Sequence, residues 1–547
     1  MFCYQCEQTS RGTGCTTMGI CGKEPETAAL QDLMLHAIKG ISMIAHRARA
    51  LGVNDAQVNR ETFASLFLTL TNVNFDKYAH VADLRKLDAT LQRIRTLYAD
   101  ACKAQGKTPE LFYGPAEWRF TDDVATLLKQ GEETSIPNRL AKLNPDVGSM
   151  QELIVYGIKG LAAYAHHACM LSYEDDAVYA FVHEALDYLT KEEQPLDVLV
   201  TLAMRTGECN LRVMEMLDRA HTETFGHPVP SQARLTPKAG KAIVVSGHDL
   251  KALYELLKQT EGKGVNVYTH GEMLPALGYP GLKRFSHLIG HYGGPWQNQQ
   301  REFAEFPGAI LMTTNCLKEP LREYNDRIFT MDVVGWEGVQ HIEGYDYSKL
   351  IARALEMPGF PADVPEQFIT VGFGHNAVLS VADKVLELVK AGKINHFYVI
   401  GGCDGAESYR DYFTRFATST GDDSVILTMG CGKYRFNKLE FGDIEGIPRL
   451  LDLGQCNDSY SAVKIAVALA EALDTDVNSL PLSLVVSWFE QKAVAVLLTL
   501  LHLGLRNIRL GPALPAFISP NVLELLVSNF NIMKTGAVET DLAATRA

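Results

Sequence analysis

The hydrophobic pattern of this 547-residue chain changes character near residue 240. Before that point long segments carry apolar residues at helical spacing, as in Leu30 to Leu51, Phe63 to Leu70 and Val178 to Leu189. Recurrence at i, i+3, i+4 and i+7 is the mark of amphipathic helices, so the front of the chain reads as all helix. Beyond it, short β-rich apolar runs alternate with helical stretches, the signature of doubly wound, Rossmann-like α/β units. Two proline-rich stretches, His227 to Pro237 and Met357 to Pro365, read as joints. The expectation is therefore multi-domain: a Cys-rich head with helical bundles over 1–226, a first α/β domain over 227–365 and a second over 366–547.

The helical part repeats itself. Gln31 to His46, containing Ile38-Lys39-Gly40, matches Gln151 to His166, containing Ile158-Lys159-Gly160, 120 residues later. Two related bundles follow from this. His46, His166 and His167 lie in these apolar segments, where a core or interface histidine is favoured over a ligand.

The expected strands of the first α/β part are Ala242 to Val245, Val265 to Tyr268, Ala309 to Met312 and Ile328 to Met331. Those of the second are Phe368 to Val371, Phe397 to Ile400, Val425 to Thr428, Leu450 to Leu453, Leu482 to Trp488 and Asn507 to Leu510. The two parts look related: a strand, Ser246-Gly247-His248-Asp249 and a helix parallel a strand, Phe373-Gly374-His375-Asn376 and a helix.

Charge and hydropathy narrow the partners. With 51 Lys+Arg against 65 Asp+Glu, a net −14, and no basic stretch, nucleic acid and anionic lipid are not expected. The N-terminus lacks the basic and apolar regions of a secretory signal. The longest apolar run, Ala493 to Leu505, contains His502 and Gly504 and falls short of the roughly 18–20 residues that span a bilayer. A cytoplasmic protein is expected, and in a reducing compartment its eleven cysteines point to metal or thiol chemistry rather than disulfides.

Four of them crowd the head. Cys3, Cys6, Cys15 and Cys21 lie in a loop with Gly12, Gly14, Gly19 and Gly22, which lets backbone and thiolates approach one centre. Four thiolates suit zinc or an iron-sulfur cluster, and the spacing is not that of the common zinc modules. A second set is dispersed. In doubly wound sheets ligands bind at the carboxyl ends of strands, and there stand His248, Glu272, Cys316, Cys403, Cys431, Cys456 and Glu490. Seven such residues suggest one buried site between the α/β parts. One imidazole and two carboxylates added to thiolates favour iron with oxygen ligands. Cys102, Cys169 and Cys209 read as packing residues, and His375 as structural. Gly401 to Gly405 and Gly430 to Tyr434 match neither a dinucleotide fingerprint nor a P-loop.

The head Met1 to Lys23, with Gly247-His248-Asp249, Asn315-Cys316, Gly402-Cys403-Asp404-Gly405, Gly430-Cys431-Gly432-Lys433-Tyr434 and Trp488-Phe489-Glu490-Gln491-Lys492, resembles the hybrid cluster protein family, also called prismane protein or hydroxylamine reductase. The resemblance runs over the whole chain and no family ligand position is substituted. It implies a 4Fe-4S cluster on Cys3, Cys6, Cys15 and Cys21. It also implies a hybrid iron-sulfur-oxygen cluster on the seven strand-end residues, with Cys403 as the persulfide carrier. The implied activity is reduction of hydroxylamine to ammonia and water by two electrons, drawn from an external electron-donor protein, and two protons, which must come from nearby side chains. Nitric oxide reduction to nitrous oxide is the alternative, as is a nitric-oxide-responsive or trans-nitrosylating redox protein without sustained turnover. Glu272 and Cys403 are expected to act in catalysis. Lys492 is expected to donate protons or stabilise an anion, against the alternative of an ion pair with a ligand carboxylate. A carbon monoxide dehydrogenase-like reaction would require nickel, and a structural-zinc protein would be colourless.

Overall fold

The computed structural model describes residues 1–546. Its front part holds helices α1 (Pro25–Arg49), α2 (Ala56–Leu68), α3 (Lys77–Ala104), α4 (Val124–Glu133), α5 (Ile136–Leu140), α6 (Pro145–Met170), α7 (Asp176–Tyr188) and α8 (Leu196–Phe225). Proline opens both α1 and α6, where its fixed φ suits a helix and its missing N–H is not needed. Asp55, Asp76 and Asp175 cap α2, α3 and α7 by accepting from backbone N–H groups that have no intrahelical partner. The internal repeat covers three helices, with α1, α2 and α3 matching α6, α7 and α8. The two bundles interlock, since α1 packs on α3 and α7 while α6 packs on α8 and α2.

The Lys-Gly motif of the repeat has a packing explanation. A methyl at Gly40 would sit 2.2 Å from the Pro115 carbonyl oxygen, and one at Gly160 would sit 2.4 Å from the Gln491 carbonyl oxygen. A methyl at Gly207 of α8 would lie 2.0 Å from the Leu498 carbonyl oxygen. The hydrogen-only positions at Gly160 and Gly207 let helix Gln491–His502, the buried apolar run seen in the sequence, lie directly against α6 and α8.

The strands are β1 (Ser231–Arg234), β2 (Lys241–Ser246), β3 (Val265–His270), β4 (Leu288–His291), β5 (Ala309–Met312), β6 (Ile328–Met331), β7 (Gln340–Ile342), β8 (Phe368–Val371), β9 (His396–Gly402), β10 (Ser424–Met429), β11 (Asp443–Ile444), β12 (Ile447–Pro448), β13 (Leu450–Gly454), β14 (Leu482–Ser487), β15 (Ile508–Gly511) and β16 (Met533–Lys534). One parallel sheet has the order β4-β3-β2-β5-β6-β7 and the other β13-β10-β9-β14-β15-β16. Renumbered within each sheet, both read 3-2-1-4-5-6, the doubly wound order with its switch point beside the first strand. Continuous apolar runs such as Ala242 to Val245 are fully buried, as strands covered on both faces must be.

One expected equivalence is overturned. β8 does not open the second sheet; it follows the second proline-rich stretch and pairs antiparallel with β1, which lies within the first, Ser231 facing Val371. Phe368 on it is 46% exposed. The counterpart of β2 is β9, so the counterpart of His248 is Cys403 and not His375. A strand followed by Gly-His is a local pattern, and it carries no record of which strand pairs with which. His375 hydrogen-bonds Ser461 Oγ at 3.1 Å and has no place at a parallel-strand end.

Candidate metal centres

At the head, Cys3 and Cys15 face each other across a two-residue antiparallel bridge, each N–H donating to the other's carbonyl at 3.0 and 2.8 Å. Cys6 and Cys15 are buried, and Cys15 Sγ accepts from Ser10 N at 3.4 Å. Burial, followed by the neighbouring charges of Cys21 and Cys3, pushes the Cys6 thiol well above its ordinary value. Lys23 is buried beside them. Burial opposes its charge, but Cys3, Cys21 and Cys6 outweigh that and hold its ammonium above the usual lysine range. Thiols that repel one another as thiolates and jointly stabilise a buried cation are the donor set a metal centre needs.

The dispersed residues meet where the two sheets' switch points face each other. After β2, Gly247 turns the chain at φ +113°, with no room for a Cβ beside Thr313, and His248 follows, its N–H donating to Thr314 Oγ1 at 2.9 Å. After β3, Gly271 at φ +55° introduces Glu272. After β13 comes Cys456. The ligand-type atoms of His248, Glu272 and Cys456 all lie within 4.8 Å of one another, and all three residues are buried. Gln455 ties the two units together by donating from Nε2 to the carbonyls of His248, at 3.0 Å, and Glu272, at 2.8 Å.

The other four residues surround this trio. Cys316, Cys403 and Cys431 pack with Trp296 and Phe489. Cys316 sits after β5 in the left-handed region, φ +72°, and accepts from Asn315 Nδ2 at 3.4 Å. The N–H of Cys403 donates to Ser487 O at 2.9 Å, binding the end of β9 to that of β14. Glu490 caps helix Gln491–His502 by accepting from Lys492 N at 3.0 Å. Lys492 Nζ stands 3.1 Å from His248 Nε2, 3.0 Å from Asn315 Oδ1 and 3.8 Å from Glu490 Oε1. Burial disfavours its charge, yet Cys456, Glu490, Cys316 and Cys403 together raise its pKa.

The surroundings of these groups resist ionisation without a cation. Burial raises the Glu272 carboxyl, though Lys433 and Lys492 oppose the shift, and burial pushes the Cys456 thiol up to about 12. The thiol of Cys431 is driven well up by its hydrogen bond with Cys316 and by burial. Glu272 Oε2 accepts from Cys456 N at 3.2 Å, whereas Oε1 is buried with no partner. An orphan carboxylate oxygen in a dry site is costly, and a bound cation would satisfy it. The donor set and this orphan atom fit a metal centre.

Several residues here had no sequence signal. Tyr164 of α6 donates to Cys456 Sγ at 3.2 Å across the interface between helical part and second sheet. Gln455 and Thr314 act through contacts between separate strands. Asn315 was detectable only as the neighbour of Cys316. Of the cysteines read as packing, Cys102 and Cys209 are buried while Cys169 is half-buried.

The two centres share a wall. Gln491, next to Glu490, donates from Nε2 to Gln5 O at 2.7 Å and accepts from Thr71 N at 3.0 Å. Glu7, next to Cys6, donates its N–H to Phe489 O at 2.9 Å and pairs with the fully buried Arg410 at 2.6 Å.

Two topologically matched α/β units capped by a duplicated helical bundle, gathering thiol, imidazole and carboxylate donors at one buried switch point, define a class of metal-centre protein. The profile of the Prismane/CO dehydrogenase family matches residues 1–543. A relative from Burkholderia lata named hydroxylamine reductase is 54% identical over 551 aligned residues, covering 100% of this chain and 99% of its own. Another of that name from Geobacter metallireducens is 52% identical over 546, with 100% and 99% covered. Among solved structures, carbon monoxide dehydrogenase IV from Carboxydothermus hydrogenoformans superposes with a TM-score of 0.56 at 13% identity, covering 97% of this chain and 89% of that one, which is a likeness of fold. The chain belongs to the Prismane/CO dehydrogenase family.

Proposed function

We propose that the protein is a hydroxylamine reductase, converting NH2OH, two protons and two electrons into NH3 and H2O with cleavage of the N–O bond. The observation that carries this is the convergence of His248, Glu272 and Cys456 with Lys492 Nζ beside them, in a chain more than half identical to relatives bearing that name. Cys3, Cys6, Cys15 and Cys21 would hold a 4Fe-4S cluster. His248, Glu272, Cys316, Cys403, Cys431, Cys456 and Glu490 would hold a hybrid iron-sulfur-oxygen cluster, with Cys403 as its persulfide. When bound, such a centre supplies electrons and Lewis acidity.

The chain's own residues supply the rest. Lys492 Nζ, aimed by Asn315 and the Glu490 cap, holds a proton for the departing oxygen. Glu272, with one oxygen anchored on Cys456 N and the other unpartnered, has the freedom to shift. Trp296 and Phe489 exclude water on the Cys403 side. The contacts of residues 5–7 with 489–491 support passage of electrons inward from the head, which would receive them from an external donor protein. A division into 1–226, 227–365 and 366–547 is supported by the two six-stranded sheets, one built from β2 to β7 and the other from β9, β10 and β13 to β16, while the β1–β8 ribbon links the second and third parts. Among the described residues no helix is long and apolar enough to cross a membrane, and we take the location to be cytoplasmic.

Nitric oxide is a second reading, favoured by one observation. An apolar cavity of about 60 Å³, walled by Val399, Met429, Val486 and Val496, abuts Cys403 and Cys456 and suits a small apolar molecule. Anaerobic purification with iron and acid-labile sulfide analysis, then reduced-viologen turnover with each compound on one sample, tests both. Iron with hydroxylamine turnover is expected. A colourless protein, or an iron-loaded one that leaves hydroxylamine unconsumed, sinks the proposal.

A further inference from the structure

Beside the seven candidate ligands lies a polar ring that nothing in the ligand set uses. His167 of α6 is buried, and neither of its ring nitrogens has a hydrogen-bond partner. Its chain neighbour shows the contrast, for His166 Nε2 lies 2.8 Å from Asp332 Oδ2. The His167 ring is near-parallel to that of His248, with centroids 6.2 Å apart and planes at 20°. Phe67 meets it edge-on at 5.3 Å and has no polar group to give. The nitrogens of His248 are directed elsewhere, Nε2 to Lys492 Nζ at 3.1 Å and Nδ1 to Thr314 Oγ1 at 3.5 Å. Buried imidazole nitrogens are normally partnered, so two orphans on one ring call for an explanation.

A neutral imidazole carries one donor and one acceptor. Hydroxylamine carries O–H and N–H donors together with lone pairs on both heavy atoms, whereas nitric oxide donates nothing and accepts weakly. We propose that His167 is a catalytic residue that binds the substrate, its ring nitrogens hydrogen-bonding hydroxylamine held beside His248 and Lys492. The residue thereby sets specificity, favouring a small nitrogen compound that both donates and accepts over an apolar diatomic. This rests on the hydroxylamine reading above. It also changes the meaning of the Ala-His-His end of the second repeat: His166 is the structural member, and His167 is the one that faces the centre.

The test uses full-length, cluster-loaded enzyme as wild type, His167→Phe and His167→Gln. Phenylalanine keeps the flat ring against Phe67 and His248 but removes both polar atoms; glutamine keeps a donor and an acceptor. Three quantities are measured: iron and sulfide content, the dissociation constant of hydroxylamine from its effect on the visible and paramagnetic resonance spectra, and KM for hydroxylamine and nitric oxide. His167→Phe is expected to load normally and to weaken hydroxylamine binding and raise its KM about tenfold or more, the scale of lost hydrogen bonds. The preference for hydroxylamine over nitric oxide should fall by a similar factor, and His167→Gln should recover most of the binding. Unchanged binding and preference in His167→Phe would overturn the proposal and leave a packing ring. Loss of iron in both variants would also overturn it, by making the ring structural. A wild-type enzyme that ignores hydroxylamine refutes the function itself, while an active wild type matched by His167→Phe refutes only this role.

Discussion

The two α/β units share one strand order and one geometry of presentation, yet they deliver different chemistry. At matched positions after the first, second and fourth strands, the front unit presents His248, Glu272 and Cys316, and the rear unit Cys403, Cys431 and Glu490. The rear unit adds Cys456 after its third strand, where the front unit, after β4, runs on to Trp296. Duplication therefore supplies places, and substitution at those places supplies hardness or softness toward a metal. The difference is one of side-chain type: three of the rear unit's four candidate residues are thiols, while the front unit carries the imidazole and the carboxylate with an unpartnered oxygen.

The sharpest way to break this contrast is to exchange donor types. Cys456→Ser and Cys403→Ser should each lower hydroxylamine turnover by at least about a hundredfold, the scale seen for disturbed metal sites. Iron analysis on the same samples distinguishes lost loading from lost chemistry, and wild-type turnover with normal iron would show that the rear thiols are not ligands. Next in size is Lys492→Met, which should lower kcat by roughly 10²–10⁴, the usual contribution of a positioned proton donor, with iron content kept. If iron falls with it, the ammonium serves the site's charge balance instead.

A milder pair of changes compares the two bundles. Gly40→Leu and Gly160→Leu each force a side chain against a carbonyl oxygen, and each should cost about 1–3 kcal/mol or more in denaturant unfolding. Only the change at Gly160, which presses on Gln491 beside Glu490 and Lys492, should also depress turnover. Equal activity loss from Gly40→Leu would argue against a local effect.

The smallest effect concerns pH. Burial works against the charge of His166, but Asp332 at 2.8 Å outweighs it and raises its pKa. A histidine raised in the folded state adds stability that is complete below the unfolded value of about 6.5 and is lost as pH rises through the folded value. The melting-temperature gap between wild type and Asp332→Asn should therefore be wider at about pH 5.5 than at about pH 9. A gap independent of pH would mean the pair is not ionised.

Much of this is legible in the sequence. The change of apolar period near residue 240 located both parallel sheets, and the 120-residue repeat located the paired bundles, because those periods are how backbone geometry exposes a face for burial. The candidate residues were legible as well, since the end of a parallel strand is a recognisable place for a ligand. What failed was equivalence. Phe368 to Val371 looked like the opening strand of the second sheet and instead joins β1, because pairing depends on partners more than a hundred residues away. Strands β4 and β7 were missed because Leu288-Ile-Gly-His and Gln340-His-Ile carry too few apolar residues to stand out.

By itself, the sequence determined the classes of element, the duplications, and which side chains can bind a metal; all are local properties of residue type and spacing. Only the tertiary structure decided that His248, Glu272 and Cys456 come within 4.8 Å of one another and that Gln455 holds them there. It likewise decided that Tyr164 donates to a cysteine 292 residues away and that His167 stacks on His248 with neither ring nitrogen partnered. Convergence of that kind is set by how two sheets and a helical bundle close on each other, through glycines that let backbones touch, and no spacing along the chain encodes it.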